Sequence, residues 1–275
     1  HDLPDYDFYT PNAADDVAEI VADLKAAGFK DVYHKVGIHE GTKKILVDFV
    51  PVADISSIDK NLFHVLYRRS ILKDGIHYTD PDILRMMMYL ELSRPRGMVE
   101  RWKKVFERLE LVNRAFPIKG CGGKEGLLPF LPVAVHRSII EFIIEQQRIL
   151  CSGPLKQMYM AGIRNGSVKF NIDRAGPPVV FVSPDPRADA VALKRGLEGA
   201  KDIRLFLHRA RGDIVPLRVE LQMGNRPICL IVQEVACHST NAIPTTDGRQ
   251  IQMASPEFLI TLYLSLAIFT QHSAD

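Results

Sequence analysis

Asp5-Tyr6-Asp7 sets two carboxylates two residues apart, inside a run, Tyr6-Asp7-Phe8-Tyr9, that reads as a β-strand. In a strand that spacing turns both side chains to one face, so the anions converge. Held that close they repel, and one takes up a proton unless a divalent cation neutralises the pair. Mg2+ suits such a site, because it takes hard oxygen ligands and keeps positions for water or phosphate. A third acid, Asp48, stands in the apolar run Ile45-Leu46-Val47-Asp48-Phe49-Val50, where an unpaired charge on a half-buried strand is costly. If that strand lies beside the first, Asp5, Asp7 and Asp48 can hold two ions, Mg2+ or Mn2+, roughly 3.5–4 Å apart, as in-line nucleotidyl transfer requires. The spacing leaves a plainer alternative open: acids two apart are common by chance, and Asp48 can pair with Lys43 or Lys44 instead.

The elements that must position these acids follow from the pattern around them. After the strand come Thr10-Pro11-Asn12, then Val17, Ile20, Val21 and Leu24 at helical spacing, with Gly28 closing the segment. Residues 31–38 and 43–50, rich in β-branched side chains and joined by Glu40-Gly41, predict a β-hairpin. A mostly helical middle begins at Asp80-Pro81, an N-cap residue followed by proline, and Ile83 to Leu92 continues it until Arg94-Pro95-Arg96-Gly97 breaks the pattern. A second helix is expected over residues 98–115, a glycine-rich hinge over 119–124, and a third helix over 136–150.

The second half reads as a worn copy of the first. Placing Ser183-Pro184 on Thr10-Pro11 lays Val179-Val180-Phe181-Val182 over Tyr6-Asp7-Phe8-Tyr9, and Leu193 and Leu197 over Ile20 and Leu24. Strands are expected at residues 203–208, 214–221 and 227–235, and Leu230-Ile231-Val232-Gln233 can be set on Ile45-Leu46-Val47-Asp48. In that register Pro178, Val180 and Gln233 replace the three acids, so the copy keeps a scaffold without the charged site.

Composition bounds the rest. A chain of 275 residues, 47% hydrophobic and 25% charged, fits a soluble globular protein of about two domains, expected at residues 1–135 and 136–275. No apolar run reaches the ~18 residues of a membrane helix. The formal charge of +2 announces no nucleic-acid partner, so a basic surface has to be local. The densest candidates are Arg94, Arg96, Arg101, Lys103 and Lys104, with Arg68-Arg69 nearby in sequence, as phosphate contacts or as a solvated helix face. Cys121, Cys151, Cys229 and Cys237 form no C-x-x-C pair, which fits a reducing compartment better than a disulfide framework or zinc finger. Met86-Met87-Met88 and Trp102 read as packing residues, and Cys237-His238 as neighbours pointing to opposite faces. His39 and His77 take no role. The sequence opens at His1 almost inside a strand, which leads one to expect a segment upstream.

The strand Asp5-Tyr6-Asp7-Phe8-Tyr9, the segment Val47-Asp48-Phe49-Val50-Pro51, the stretch from Gly75 to Gly97 and the run Cys237-His238-Ser239-Thr240-Asn241, with the apolar helix from Pro256 to Thr270, together resemble the poly(A) polymerase catalytic subunits of large cytoplasmic DNA viruses, of the poxvirus and giant-virus type. The resemblance implies an α+β architecture: a polymerase-β-like nucleotidyltransferase domain, a helical middle segment and a second, degenerate nucleotidyltransferase-like domain. It implies addition of AMP from ATP to RNA 3′ ends, with Asp5 and Asp7 as the paired metal ligands and Asp48 as the third carboxylate. It also implies a cytoplasmic setting, and it leaves open a homodimer or an accessory processivity subunit as partner. The family's Gly-Gly or Gly-Ser helix start, which cradles the triphosphate ahead of the acidic strand, has no counterpart here, and Ser152-Gly153-Pro154 is its expected duplicate in the second half. This stretch alone is therefore expected to be poorly active. The same acids would equally serve a small-molecule nucleotidyltransferase, and an RNA-binding or dimerising scaffold would need no metal at all.

Overall fold

Alternation in the opening strand sends Asp7 and Tyr9 to one side and Phe8 and Thr10 to the other, and a sheet is built on that division. The structure, a computed structural model, describes residues 5–37, 41–118, 130–152, 159, 168–197, 199, 202–211 and 214–269, and its contacts separate two units, residues 1–80 and 81–275. His39, Cys121, the hinge expected over 119–124 and Gly153-Pro154 lie outside the described residues.

In the first unit β1 (Tyr6–Thr10) leads into α1 (Ala13–Ala26), then β2 (Val32–Val36), β3 (Thr42–Val47) and β4 (Val50–Ser57). The sheet runs β1-β4-β3-β2, with β4 parallel to β1 and antiparallel to β3. α1 covers one face, closing a core of Ala13, Val17, Val32, Ile45, Val47, Ala53 and Ile55 with Phe8, Ile20, Val21 and Leu24 against it. Ile45 and Ile55 are wholly buried, each contributing about 1.5–3 kcal/mol. Beyond the sheet, α2 (Lys60–Arg69) is capped by the Asp59 carboxylate, which accepts from the N–H groups of Asn61 and Leu62, and a short hairpin follows, β5 (Ile71–Lys73) and β6 (Ile76–Tyr78).

The strand expected over residues 43–50 is in fact two. Val47 pairs with Val50 across a two-residue turn, Asp48-Phe49, at φ +49° and +67°. Both angles lie in the left-handed region that a type I′ hairpin turn demands and that asparagine or glycine usually supplies, so the turn is hidden in composition. Asp48 N–H donates to the Asp31 carbonyl at 3.0 Å, locking it. Pro51, which lacks an N–H, pairs at the register shift between Ile45 and Leu46, a place where a sheet tolerates proline.

The second unit holds α3 (Pro81–Leu92), a 3₁₀ turn (Val99–Arg101), α4 (Trp102–Ala115), α5 (Val133–Glu145), β7 (Ile149–Leu150), β8 (Val179–Ser183), α6 (Pro186–Gly196), β9 (Ile203–His208), β10 (Arg218–Met223), β11 (Arg226–Gln233), β12 (Thr240–Pro244), β13 (Gln250–Ala254) and α7 (Pro256–Phe269). Its seven strands run β12-β13-β7-β8-β11-β10-β9. α5 stops at Glu145, short of the expected residue 150, because Ile149 and Leu150 are taken into the sheet between β13 and β8. The division after Asp80 falls earlier than the expected 135/136 boundary because α3 packs on both α4 and α7. Buried Arg85 joins α3 to α4, donating to the Asp82 carboxylate, to Asn113 Oδ1 at 2.7 Å and to the Phe116 carbonyl.

Within each unit the same five elements recur in the same order, and the sheet orders β1-β4-β3-β2 and β8-β11-β10-β9 match. Their strand ends match in detail. Thr10 Oγ1 accepts from Asn12 N–H and Ser183 Oγ from Asp185 N–H, each at 3.0 Å. The residues just past β4 and β11, Ile58 and Glu234, donate to the Thr10 and Ser183 carbonyls at 3.0 and 2.8 Å. β11 thus corresponds to β4, so the expected overlay of Leu230 to Gln233 on β3 is corrected: Leu230 pairs with Val180 as Asp54 of β4 pairs with Asp7.

Candidate metal centre

The parallel pairing of β1 and β4 sets Asp7 opposite Asp54, the antiparallel pairing of β4 and β3 sets Asp54 opposite Lys44, and Lys44 lies opposite Lys35 of β2. Four charged side chains therefore form one row on the face away from α1. Asp5 precedes Asp7 by two residues on the same side. Asp5, Asp7 and Asp54 each offer a carboxylate oxygen, all within 4.8 Å of one another, with the first two exposed and Asp54 half-buried.

Two residues further along, Tyr9 pairs with Ser56 and Ser56 with Thr42, whose hydroxyl lies 3.0 Å from that of Ser56. Burial pushes the Tyr9 phenol above its usual range, and the negative charge of Asp7 adds to the shift. Lys44 Nζ lies 2.7 Å from Asp54 Oδ1 and donates to Oδ2 at 2.8 Å. Asp54 Oδ1 is buried and has no aligned hydrogen-bond donor. Three carboxylates against one ammonium leave a local charge near −2. A hard divalent cation fits this donor set: carboxylate oxygens close together with excess negative charge.

Asp48 is not part of the group. It sits exposed in the turn at the far end of β3, where the reversal that makes β4 a separate strand leaves it. The third carboxylate that the geometry gathers is Asp54, which sequence reasoning missed. A signal existed in Val50-Pro51-Val52-Ala53-Asp54-Ile55, a second alternating run with one acid, masked by the proline.

The basic residues singled out from sequence belong to the second unit. Arg96, Lys103 and Lys104 are exposed, whereas Arg101 lies 3.6 Å from the Glu91 carboxylate and Arg94 is half-buried. Trp102, also half-buried, lines an open groove with Tyr89, Leu92, Phe106 and Leu109. Cys237 is exposed while His238 is buried, stacked on Phe258 with ring centroids 3.8 Å apart, so the two share no chemistry. His77 stacks on Tyr67 at 4.1 Å and its Nδ1 lies 2.7 Å from the Ser70 hydroxyl. Among the described residues, no helix is long and apolar enough to cross a membrane.

A family model described as the poly(A) polymerase catalytic subunit matches residues 1–98, the span that holds all three acids. A protein of African swine fever virus assigned as a poly(A) polymerase catalytic subunit is 26% identical over 218 residues, covering 70% of this chain and 45% of that protein. One of Acanthamoeba polyphaga mimivirus with the same assignment is 30% identical over 120 residues, 43% of this chain and 20% of its own length. The crystal structure of the Megavirus polyadenylate synthase superposes with a TM-score of 0.77 at 19% identity, over 98% of this chain and 56% of that one. The chain thus spans about half the length of the relatives it matches most fully. By sequence in its first 98 residues and by its α+β fold over nearly its whole length, this chain is similar to the poly(A) polymerase catalytic subunits of large DNA viruses.

Proposed function

We propose that this chain carries the catalytic centre of a template-independent polynucleotide adenylyltransferase, which adds AMP from ATP to RNA 3′ ends. The observation that carries the reading is the meeting of Asp5, Asp7 and Asp54 on the side of the first sheet away from α1, with ligand oxygens within 4.8 Å. These three residues would hold the cations. Mg2+ or Mn2+ bound to such carboxylates supplies polarisation of phosphoryl oxygens and a lowered pKa for an attacking hydroxyl. The chain's own part is positioning. Asp7 comes from β1, Asp5 from the residue just before it and Asp54 from the hydrogen-bonded neighbour of β1, so Asp7 and Asp54 are fixed relative to one another before substrate arrives. Reactions of this class draw most of their acceleration from such positioning and electrostatics, so losing an acid falls on turnover more than on RNA affinity.

RNA phosphates would meet the exposed cations Arg96, Lys103 and Lys104, with Arg94 and Arg101 beside them in sequence. The second unit is read as a degenerate nucleotidyltransferase-like copy that keeps the strand order and lacks the acids. As in the large cytoplasmic viruses of the resemblance, the setting would be the infected cell's cytoplasm.

Incubation of the full-length protein with α-labelled ATP, Mg2+ or Mn2+ and an oligoribonucleotide tests the reading. Cation-dependent label in the oligoribonucleotide, lost in Asp54→Asn, supports it. Label only in low-molecular-weight acceptors points to a small-molecule nucleotidyltransferase, and RNA binding with neither labelling nor cation uptake points to a scaffold.

A further inference from the structure

The cation side of Asp54 already holds a charge. Lys44 brings Nζ to 2.7 and 2.8 Å from the two carboxylate oxygens, with its side chain only 22% exposed. This is not a surface pair formed by chance of rotamers, because antiparallel register sets the two residues opposite each other and their neighbours in the row, Asp7 and Lys35, bracket them. An ammonium within reach of both oxygens competes with a divalent ion for them, because each lone-pair site it fills is one the ion does not have. We propose that Lys44 is an exchangeable counter-ion: it neutralises Asp54 when no metal is bound, gives way when a divalent cation binds, and then pairs with the next anion to enter.

The proposal rests on the reading of Asp5, Asp7 and Asp54 as metal ligands. A doubly charged ion shared by three carboxylates outcompetes a single ammonium for Asp54. The ammonium can leave because it is a point charge on a flexible four-carbon stem with three rotatable donors, where a guanidinium would hold a fixed fork. Lys35, next in the row, repels it from the β2 side. The anion class that accompanies the cation in nucleotidyl transfer is a triphosphate, so Lys44 would link cation uptake to nucleotide binding. Linkage of this kind is reciprocal, and one side chain would set both affinities. Lys44 is in these terms a positioning residue.

The test is Mn2+ binding by the full-length protein, followed by electron paramagnetic resonance, and then affinity for the Mn2+ complex of a non-hydrolysable ATP analogue. Wild type, Lys44→Met and Lys44→Arg are compared. Lys44→Met is expected to bind Mn2+ alone roughly five- to tenfold tighter, since exchange no longer breaks an ion pair, and the nucleotide complex weaker by a similar factor. Lys44→Arg, whose fixed fork yields Asp54 less readily, should bind Mn2+ alone more weakly than wild type. A purely structural role would weaken both, and Lys44→Met with unchanged or weaker Mn2+ affinity overturns the proposal. Should Lys44→Met fail to fold, the Lys44 ammonium nitrogen resonance of the wild type decides: it must shift on Mg2+ addition, and a resonance that does not move overturns the proposal. Asp7→Asn binding Mn2+ as well as wild type would instead bring down the metal-site reading itself, and the counter-ion with it.

Discussion

In the first unit the row crossing the sheet reads Asp7, Asp54, Lys44, Lys35; in the second unit the corresponding row reads Val180, Leu230, Glu220, Phe206. Backbone topology is the same in both, so the fold does not dictate the site. What differs is the face. In the second unit Val180 and Leu230 pack with Cys151, Val182, Val232, Phe258 and Leu262 under α7, and a carboxylate there would be buried without a partner. In the first unit Asp5 and Asp7 are exposed on the corresponding face, and Lys44 compensates the half-buried Asp54. A sheet whose second face is sealed by a helix gains stability from that face. In the first sheet the corresponding positions in and just before β1 carry acids that reach solvent.

The largest expected effect breaks the comparison in the charged sheet. Asp54→Asn should lower AMP incorporation by the full-length protein roughly 10³-fold, equivalent to about 4 kcal/mol of transition-state stabilisation, while oligoribonucleotide affinity by filter binding changes little. Equal loss of both would remove the metal-ligand assignment.

Next, an acid can be put back into the apolar sheet. Leu230→Asp would set a carboxylate under α7 and should cost about 3 kcal/mol in urea unfolding of the second unit's transition. Tolerance of that change would mean that α7 does not seal the face.

Sealing also has a pH signature. Burial, with the positive charge of Arg94 as the smaller cause, lowers the His238 pKa to about 4, from an ordinary value near 6.5. The unfolded chain therefore binds more protons between those values. His238 contributes stability that is present in full above pH 6.5 and is lost as pH falls through 4, on the order of 3 kcal/mol in all. Unfolding free energies of wild type and His238→Gln, measured from pH 7.5 to 4, should converge as pH falls. Parallel curves would contradict the shift.

The smallest effect sharpens the site. Asp48→Asn, in a type I′ turn that suits asparagine, should leave AMP incorporation within about twofold of wild type and stability unchanged within about 0.5 kcal/mol by thermal melting.

Why the acids of β1 were legible and the third was not follows from how each is encoded. Asp5 and Asp7 sit two apart in an aromatic run, and period two needs no knowledge of partners. The strand-turn-helix repeat was equally visible, since Thr10-Pro11 and Ser183-Pro184 mark the same break and their hydroxyls accept equivalent hydrogen bonds. The third acid depends on register between strands, and register here turns on two non-glycine residues at positive φ and on a proline at a bulge. Neither announces itself in composition, so Val47 to Pro51 reads as continuous strand, and Asp48 is expected where the geometry gathers Asp54 instead. The division after Asp80 was equally hidden, because the buried guanidinium of Arg85 and the packing of α3 on α7 are contacts between distant segments.

Calorimetric titration of Mn2+ into the full-length wild type, Asp54→Asn and Asp48→Asn measures the central assignment directly. Saturable uptake by wild type and Asp48→Asn with loss in Asp54→Asn is the predicted result. Loss in Asp48→Asn with uptake preserved in Asp54→Asn would contradict the account.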